Sequence, residues 1–156
     1  RSIPLVAPRA HDCITLFMGG KERYLAYFQS HPGVYFKTSG WIERGDAKDR
    51  QLGLQFDDLV ERYGEENARY LYEELTKHYR QFTYIEMGVE PDDRFEQRTR
   101  QDAISSGWTF EKMQGDLGLL RRLVDGPWDE RDFLVVPPGF RVAVRHDESI
   151  LGAERS

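Results

Sequence analysis

Apolar positions along this chain come in short runs that switch between two spacings, and most of the switches coincide with glycine or proline. Ile3-Pro4-Leu5-Val6-Ala7 is a first apolar run, with Pro4 where a strand tolerates a residue that cannot donate to the ladder. A helix carrying Ile14, Leu16 and Phe17 then opens at His11 or Asp12, and Gly19-Gly20 breaks it. Tyr24, Leu25, Tyr27 and Phe28 recur on a helical period and stop before the turn His31-Pro32-Gly33. Val34 to Lys37 reads as a strand, and Thr38 to Gly45 as the loop after it. Two helices follow, over Asp57 to Tyr63 and over Glu65 to Tyr79, the second with Ala68, Leu71, Tyr72, Leu75 and Tyr79 on one face.

The second half repeats this alternation. Phe82 to Met87 is a strand, Pro91-Asp92-Asp93 opens a helix that runs to about Ser105, and Gly107 closes it. Trp108 to Met113 is a strand, and Gly115-Asp116 leads into a helix with Leu117, Leu119, Leu120, Leu123 and Val124 that ends at Gly126-Pro127. Phe133-Leu134-Val135-Val136 is a continuous apolar run, which suits a strand buried on both faces. The order β-α-α-β-α-α-β-α-β-α-β predicts an α/β fold: a mostly parallel, Rossmann-like sheet with helices on both faces. It fills a single domain over residues 1–143 and leaves residues 144–156 as a polar tail. The chain has no initiator Met and opens almost directly into an apolar strand, so it reads as the C-terminal part of a longer chain.

Composition narrows the class. A chain of 156 residues is long enough for one sizeable core, and 39% hydrophobic with 31% charged residues is globular. The net charge of -5 and the mixing of signs in Asp46-Ala47-Lys48-Asp49-Arg50 give no basic stripe for nucleic acid. No apolar run approaches the roughly 18 residues of a membrane span. One cysteine excludes an internal disulfide and fits a reducing compartment, and without a secretory signal the expected location is the cytoplasm.

Ligands of open α/β sheets bind outside the carboxyl ends of the strands, which directs attention to the strand-to-helix loops. The most loaded is Pro8-Arg9-Ala10-His11-Asp12-Cys13. His11 and Cys13 are an imidazole and a thiol one residue apart, both good ligands for zinc and similar transition metals. A helix start favours the Cys13 thiolate, and Asp12 either orients His11 or caps the helix. One His and one Cys make half of a four-coordinate site, so other ligands must complete it. The same residues allow a Cys13 nucleophile with His11 as base, or simply a capped helix start with a buried Cys. In the second loop Trp41 could wall a planar ligand, with Glu43 and Arg44 on its polar ends, against the plainer reading of a packed Trp and a surface ion pair. In the third, backbone amides near Asp116 could hold an anion, but the Asp116 charge opposes phosphate. Arg9, Asp12, Trp41, Glu43, Arg44 and Asp116 are thus the candidate substrate contacts. No dinucleotide or P-loop motif occurs.

The run Pro4 to Gly19 with its His-Asp-Cys centre, Tyr24-Leu25, His31-Pro32-Gly33, Gly40-Trp41-Ile42-Glu43-Arg44, and the stretch from Gly115-Asp116-Leu117 to Trp128-Asp129 together resemble a bacterial and archaeal family, domain of unknown function 1638. The family has no established activity. The resemblance implies longer chains with cysteines upstream, so that His11 and Cys13 are two ligands of a site completed from before Arg1. It also implies a loose link to corrinoid and one-carbon methyl metabolism. The expectation is therefore a metal-binding α/β protein. Its main rival is a non-catalytic module that binds a small molecule or partner protein, and a cysteine-nucleophile enzyme is the third reading.

Overall fold

The computed structural model of the chain describes residues 3–43, 56–147 and 149–155, which form two compact units. The first contains residues up to Ser30 together with those from Gly115 onward, and the second runs from His31 to Gln114.

The second unit holds the parallel sheet. Strands β2 (Val34–Thr38), β3 (Gln81–Glu86) and β4 (Thr109–Gln114) pair in that order, all parallel, with Tyr35 opposite Phe82 and Phe82 opposite Phe110. Parallel neighbours require helical crossovers. These are α3 (Phe56–Tyr63) and α4 (Glu65–Thr76) between β2 and β3, and α5 (Arg94–Ser106) between β3 and β4. Helix α5 lays Phe95, Thr99 and Ala103 toward β3 and β4 at i, i+4 and i+8, and the three are buried. Phe95 joins Ile42 and Tyr84 in the core, with Phe110 packed against them. Gly107 ends α5 in the left-handed region, its amide returning to the Ala103 and Ile104 carbonyls.

The first unit contains β1 (Leu5–Pro8), α1 (Cys13–Phe17), α2 (Lys21–Ser30), α6 (Gly118–Asp125), β5 (Phe133–Val136), β6 (Phe140–Val144) and β7 (Leu151–Arg155). Here the pairings are antiparallel: β1 with β5, and β6 with β7 as a hairpin. The fold is thus mixed α/β, and only the three-stranded sheet is parallel. The expected single, mostly parallel sheet is corrected on this point. Alternation predicts the direction of consecutive strands joined by helices, as in β2, β3 and β4, but not which distant strands pair, and β5 returns beside β1 in the opposite sense. Nor is β5 buried on both faces, because a two-stranded sheet leaves Val135 46% exposed. Within residues 144–156, read from the sequence as a polar tail, β7 pairs with β6, on which Phe140, Val142 and Val144 alternate.

A last difference concerns the loop after β2. Residues 39–43 are helical, with the Trp41 amide donating to Thr38 Oγ1 at 3.2 Å as a side-chain cap. No helix among the described residues is long and apolar enough to cross a membrane.

Candidate functional site

The loop between β1 and α1 is built by the two residues that look most reactive after His11 and Cys13. Asp12 is the N-cap of α1, with extended backbone (φ -155°, ψ 179°). Its Oδ1 accepts from the Thr15 amide at 3.1 Å and lies 3.4 Å from Thr15 Oγ1, while its Oδ2 accepts from the Tyr24 hydroxyl at 3.1 Å. Thr15 is fully buried, so the cap fixes the start of α1 against the interior. Burial, then the Asp12 charge and hydrogen bond, push the Tyr24 phenol up to about 12. The Tyr24 ring stands 6.5 Å from that of His11 and stacks at 5.9 Å on Phe28.

Arg9 fastens the other end of the loop. Its Nε donates to the Glu130 carbonyl at 2.9 Å and to the Phe133 carbonyl at 3.3 Å, and its Nη1 donates to the carbonyls of Ser149, at 2.6 Å, and of Leu151. The last two flank Ile150, which is buried with φ +63°, a strained conformation for a β-branched residue. Beside them Asp132 is buried between Arg122 and Arg131. Desolvation opposes its charge, but the two guanidinium hydrogen bonds outweigh that and hold its carboxyl below the ordinary range.

His11 and Cys13 are left over from this framework. Both are exposed. Among the described residues no hydrogen bond engages either the His11 ring or the Cys13 thiol, so none joins the two as nucleophile and base. The extended residue between them separates their Cα atoms by roughly 7 Å, a span two side chains can close on one ion. The expectation of a buried Cys at a capped helix start is half right: the cap is there, and the Cys is exposed. No group of three or more His, Cys, Asp and Glu able to hold a metal occurs among the described residues.

Asp116 belongs to the same unit but lies at the opposite end of α1. Its amide donates to the Phe17 carbonyl at 2.8 Å, and its Oδ1 accepts from the Gly118 amide at 2.7 Å. A Cβ on Gly19 (φ +84°) would stand 2.5 Å from Asp116 Oδ2, so this junction requires glycine. In the second unit, Trp41 is 37% exposed and Glu43 is exposed on the helical segment after β2, while Arg44 lies outside the described residues.

Sequence reasoning missed Glu90, at the carboxyl end of β3. Its Oε1 accepts from Ser39 Oγ at 2.9 Å and the Met87 amide at 3.0 Å, and lies 3.4 Å from the Tyr84 hydroxyl. Its Oε2 accepts from the Val89 amide at 3.0 Å. Burial opposes ionisation, but these donors prevail and lower the Glu90 pKa, while burial and the Glu90 charge raise that of Tyr84. The available signal was positional: residues 87–93 form a strand-to-helix loop of the parallel sheet, where polar side chains collect. Lys112 beside it is paired with Glu86 at 2.8 Å and Glu96 at 2.7 Å.

No curated protein and no solved structure gives a significant match to the chain. A family model described as "Protein of unknown function (DUF1638)" matches residues 1–124 of the 156, and the chain belongs to that family.

Proposed function

We propose that this chain contributes an imidazole and a thiolate, from His11 and Cys13, to a zinc-class metal site whose other ligands lie outside its described residues. One observation carries the reading: His11 and Cys13 are exposed and make no hydrogen bond among the described residues, while Arg9 and Asp12 beside them bond to the residues that hold the loop. A side chain retained for architecture finds a partner, as those two do. The donor types suit a borderline-soft divalent ion, which prefers nitrogen and sulfur in a four-coordinate shell. When bound, such an ion keeps a thiolate deprotonated at neutral pH, which suits activation of sulfur toward an alkyl or methyl group. The Asp12 carboxylate accepts hydrogen bonds from Thr15 and Tyr24, so an ion that recruited it would share its oxygens with the cap. Nothing among the described residues favours a corrinoid in particular, so the proposal is confined to the ion.

Cobalt(II) titration of the intact, untagged protein tests it. The expected result is an intense near-ultraviolet thiolate-to-cobalt band that zinc displaces. The band disappears in Cys13→Ser, and in His11→Ala the affinity falls at least tenfold. A spectrum without the band, or a band that survives Cys13→Ser, would overturn the reading.

A further inference from the structure

We infer that the β6–β7 hairpin is a latch on the His11-Asp12-Cys13 loop and that Arg9 is its bolt, so that hairpin docking and loop order form one cooperative event. The hairpin stands apart in its backbone pairing. Among the described residues β6 and β7 pair only with each other, and no ladder joins them to β1 and β5. Apart from packing beside β5, two attachments hold the hairpin to the rest of its unit. One is Ile150, which is 6% exposed although Arg145, His146 and Asp147 before it are exposed. The other is Arg9, whose Nη1 donates to the Ser149 and Leu151 carbonyls on either side of that buried residue. Among the described residues these two bonds, with that of the Phe140 amide to the adjoining Pro137 carbonyl, are the only hydrogen bonds from residues 140–155 to the remainder of the unit.

The same guanidinium fixes the loop. Its Nε donates to the Glu130 and Phe133 carbonyls, and the Arg9 amide donates to the Asp132 carbonyl at 2.8 Å. Two residues further on, His11 begins the exposed segment that Asp12 caps onto α1 through Thr15. A planar guanidinium reaches four carbonyls only when all four are in place. If the hairpin leaves, the Ser149 and Leu151 carbonyls leave with it, and Arg9 loses half of its acceptors. The released hairpin loses its own ladder too, because two strands alone are marginal in water. One feature opposes docking: φ +63° is strained for the β-branched Ile150, and burial of its side chain holds it there. The latch is therefore loaded toward opening at one residue and held shut by the burial of that residue and by Arg9. Such a balance produces local opening below the free energy of global unfolding. It operates whether or not His11 and Cys13 take an ion.

Residue-resolved amide hydrogen exchange of the intact, metal-free protein tests the latch from both sides. Ile150→Gly tolerates the left-handed backbone but removes the buried side chain. Arg9→Lys keeps the charge but loses the guanidinium fork. In each variant, exchange is expected to accelerate at least tenfold, and by a common factor, at three places. These are the amides of the β6–β7 ladder, the amide of residue 9 that bonds to Asp132, and the Thr15 amide that Asp12 caps. The Arg121 amide, bonded to the Leu117 carbonyl in α6, keeps its protection. Faster exchange in the hairpin of Ile150→Gly with residue 9 and Thr15 unchanged overturns the inference. So does faster exchange at residue 9 and Thr15 of Arg9→Lys with the hairpin unchanged. Equal acceleration at Arg121 also overturns it, because the whole unit is then destabilised, and so does an Ile150→Gly variant that exchanges like the parent throughout. If Arg9→Lys does not fold, Ile150→Gly decides alone.

Discussion

The loop before α1 and the loop after β3 carry similar cargo, and they spend it differently. At the end of β3, Glu90 gathers Ser39, Met87, Val89 and Tyr84, and Lys112 is held by Glu86 and Glu96, so the polar groups satisfy one another. Before α1, Arg9 and Asp12 are consumed in the same way, but His11 and Cys13 project from the frame without hydrogen-bonded partners among the described residues. A closed polar network contributes to stability and resists a ligand, because a ligand must first displace internal partners. Free donors on a fixed frame contribute little to stability and offer their full affinity to an ion. Mutations should therefore separate the two kinds of residue by whether stability or metal binding responds.

The largest stability effect belongs to Arg9. Arg9→Ala strands carbonyls of Glu130, Phe133, Ser149 and Leu151 and releases the clamp around the strained Ile150. Charge-assisted hydrogen bonds contribute about 1.5–3 kcal/mol each but overlap when one group makes several, so a loss of about 3–4 kcal/mol is expected in urea unfolding. A loss below about 1 kcal/mol would mean that the frame does not depend on Arg9. Gly19→Ala comes next. It places a Cβ within 2.5 Å of Asp116 Oδ2 at φ +84°, and about 2–3 kcal/mol is expected from left-handed strain and the clash together. Because Asp116 Oδ2 is the end of a side chain, the double variant with Asp116→Ala should recover part of that loss, and no recovery would assign the whole effect to the backbone.

The sequence carried much of this frame and little of its pairing. Turn chemistry marked element ends well: His31-Pro32-Gly33 precedes β2, Gly107 closes α5 and Gly126 closes α6. These are local signals, set by φ preference and the missing proline donor. Strand direction is not local. Val135 looks like a core residue by composition and is half exposed in a sheet whose only other hydrogen-bonded strand among the described residues is β1. The helical segment 39–43 was hidden by Thr38-Ser39-Gly40, which resembles a turn, although the Thr38 hydroxyl that caps it is the very residue type helix starts prefer. At the site, the residue types of His11 and Cys13 were legible, and so was the Asp12 cap, whose partner Thr15 lies three residues on. The commitment of Arg9 was not, because its partners lie far away in the chain, and the Tyr24 hydroxyl that also reaches Asp12 comes from the next helix.

Glu90 gives a smaller effect with a sign that pH can read. Its pKa is lowered in the folded state from an ordinary 4.5, so its contribution to stability is complete above that pH and is lost as pH falls through the folded value. Glu90→Gln should cost about 1–2 kcal/mol near neutrality, since the amide presents a donor where Met87, Val89 or Ser39 also donates. Its stability should also fall less steeply than the parent's on acidification below about pH 4.5, as measured by urea midpoints across the acid range. Parallel curves would show that Glu90 is no part of a closed network.

The smallest stability effect is expected where the functional effect is largest. Cys13→Ser and His11→Ala remove exposed side chains that make no hydrogen bond among the described residues, and such substitutions usually change stability by less than about 0.5 kcal/mol. Urea unfolding of the metal-free protein should thus fail to distinguish either variant from the parent. With zinc present the parent should gain stability according to ligand excess over dissociation constant, about 2.7 kcal/mol at a hundredfold excess, and neither variant should gain any. The two conditions must be read together. A variant destabilised equally with and without zinc has lost an architectural residue, which would move His11 or Cys13 into the same class as Arg9 and Glu90. A variant unchanged without zinc and deprived of the zinc gain has lost a ligand. Only that second pattern preserves the contrast between a loop that closes on itself and one that leaves two donors for an ion.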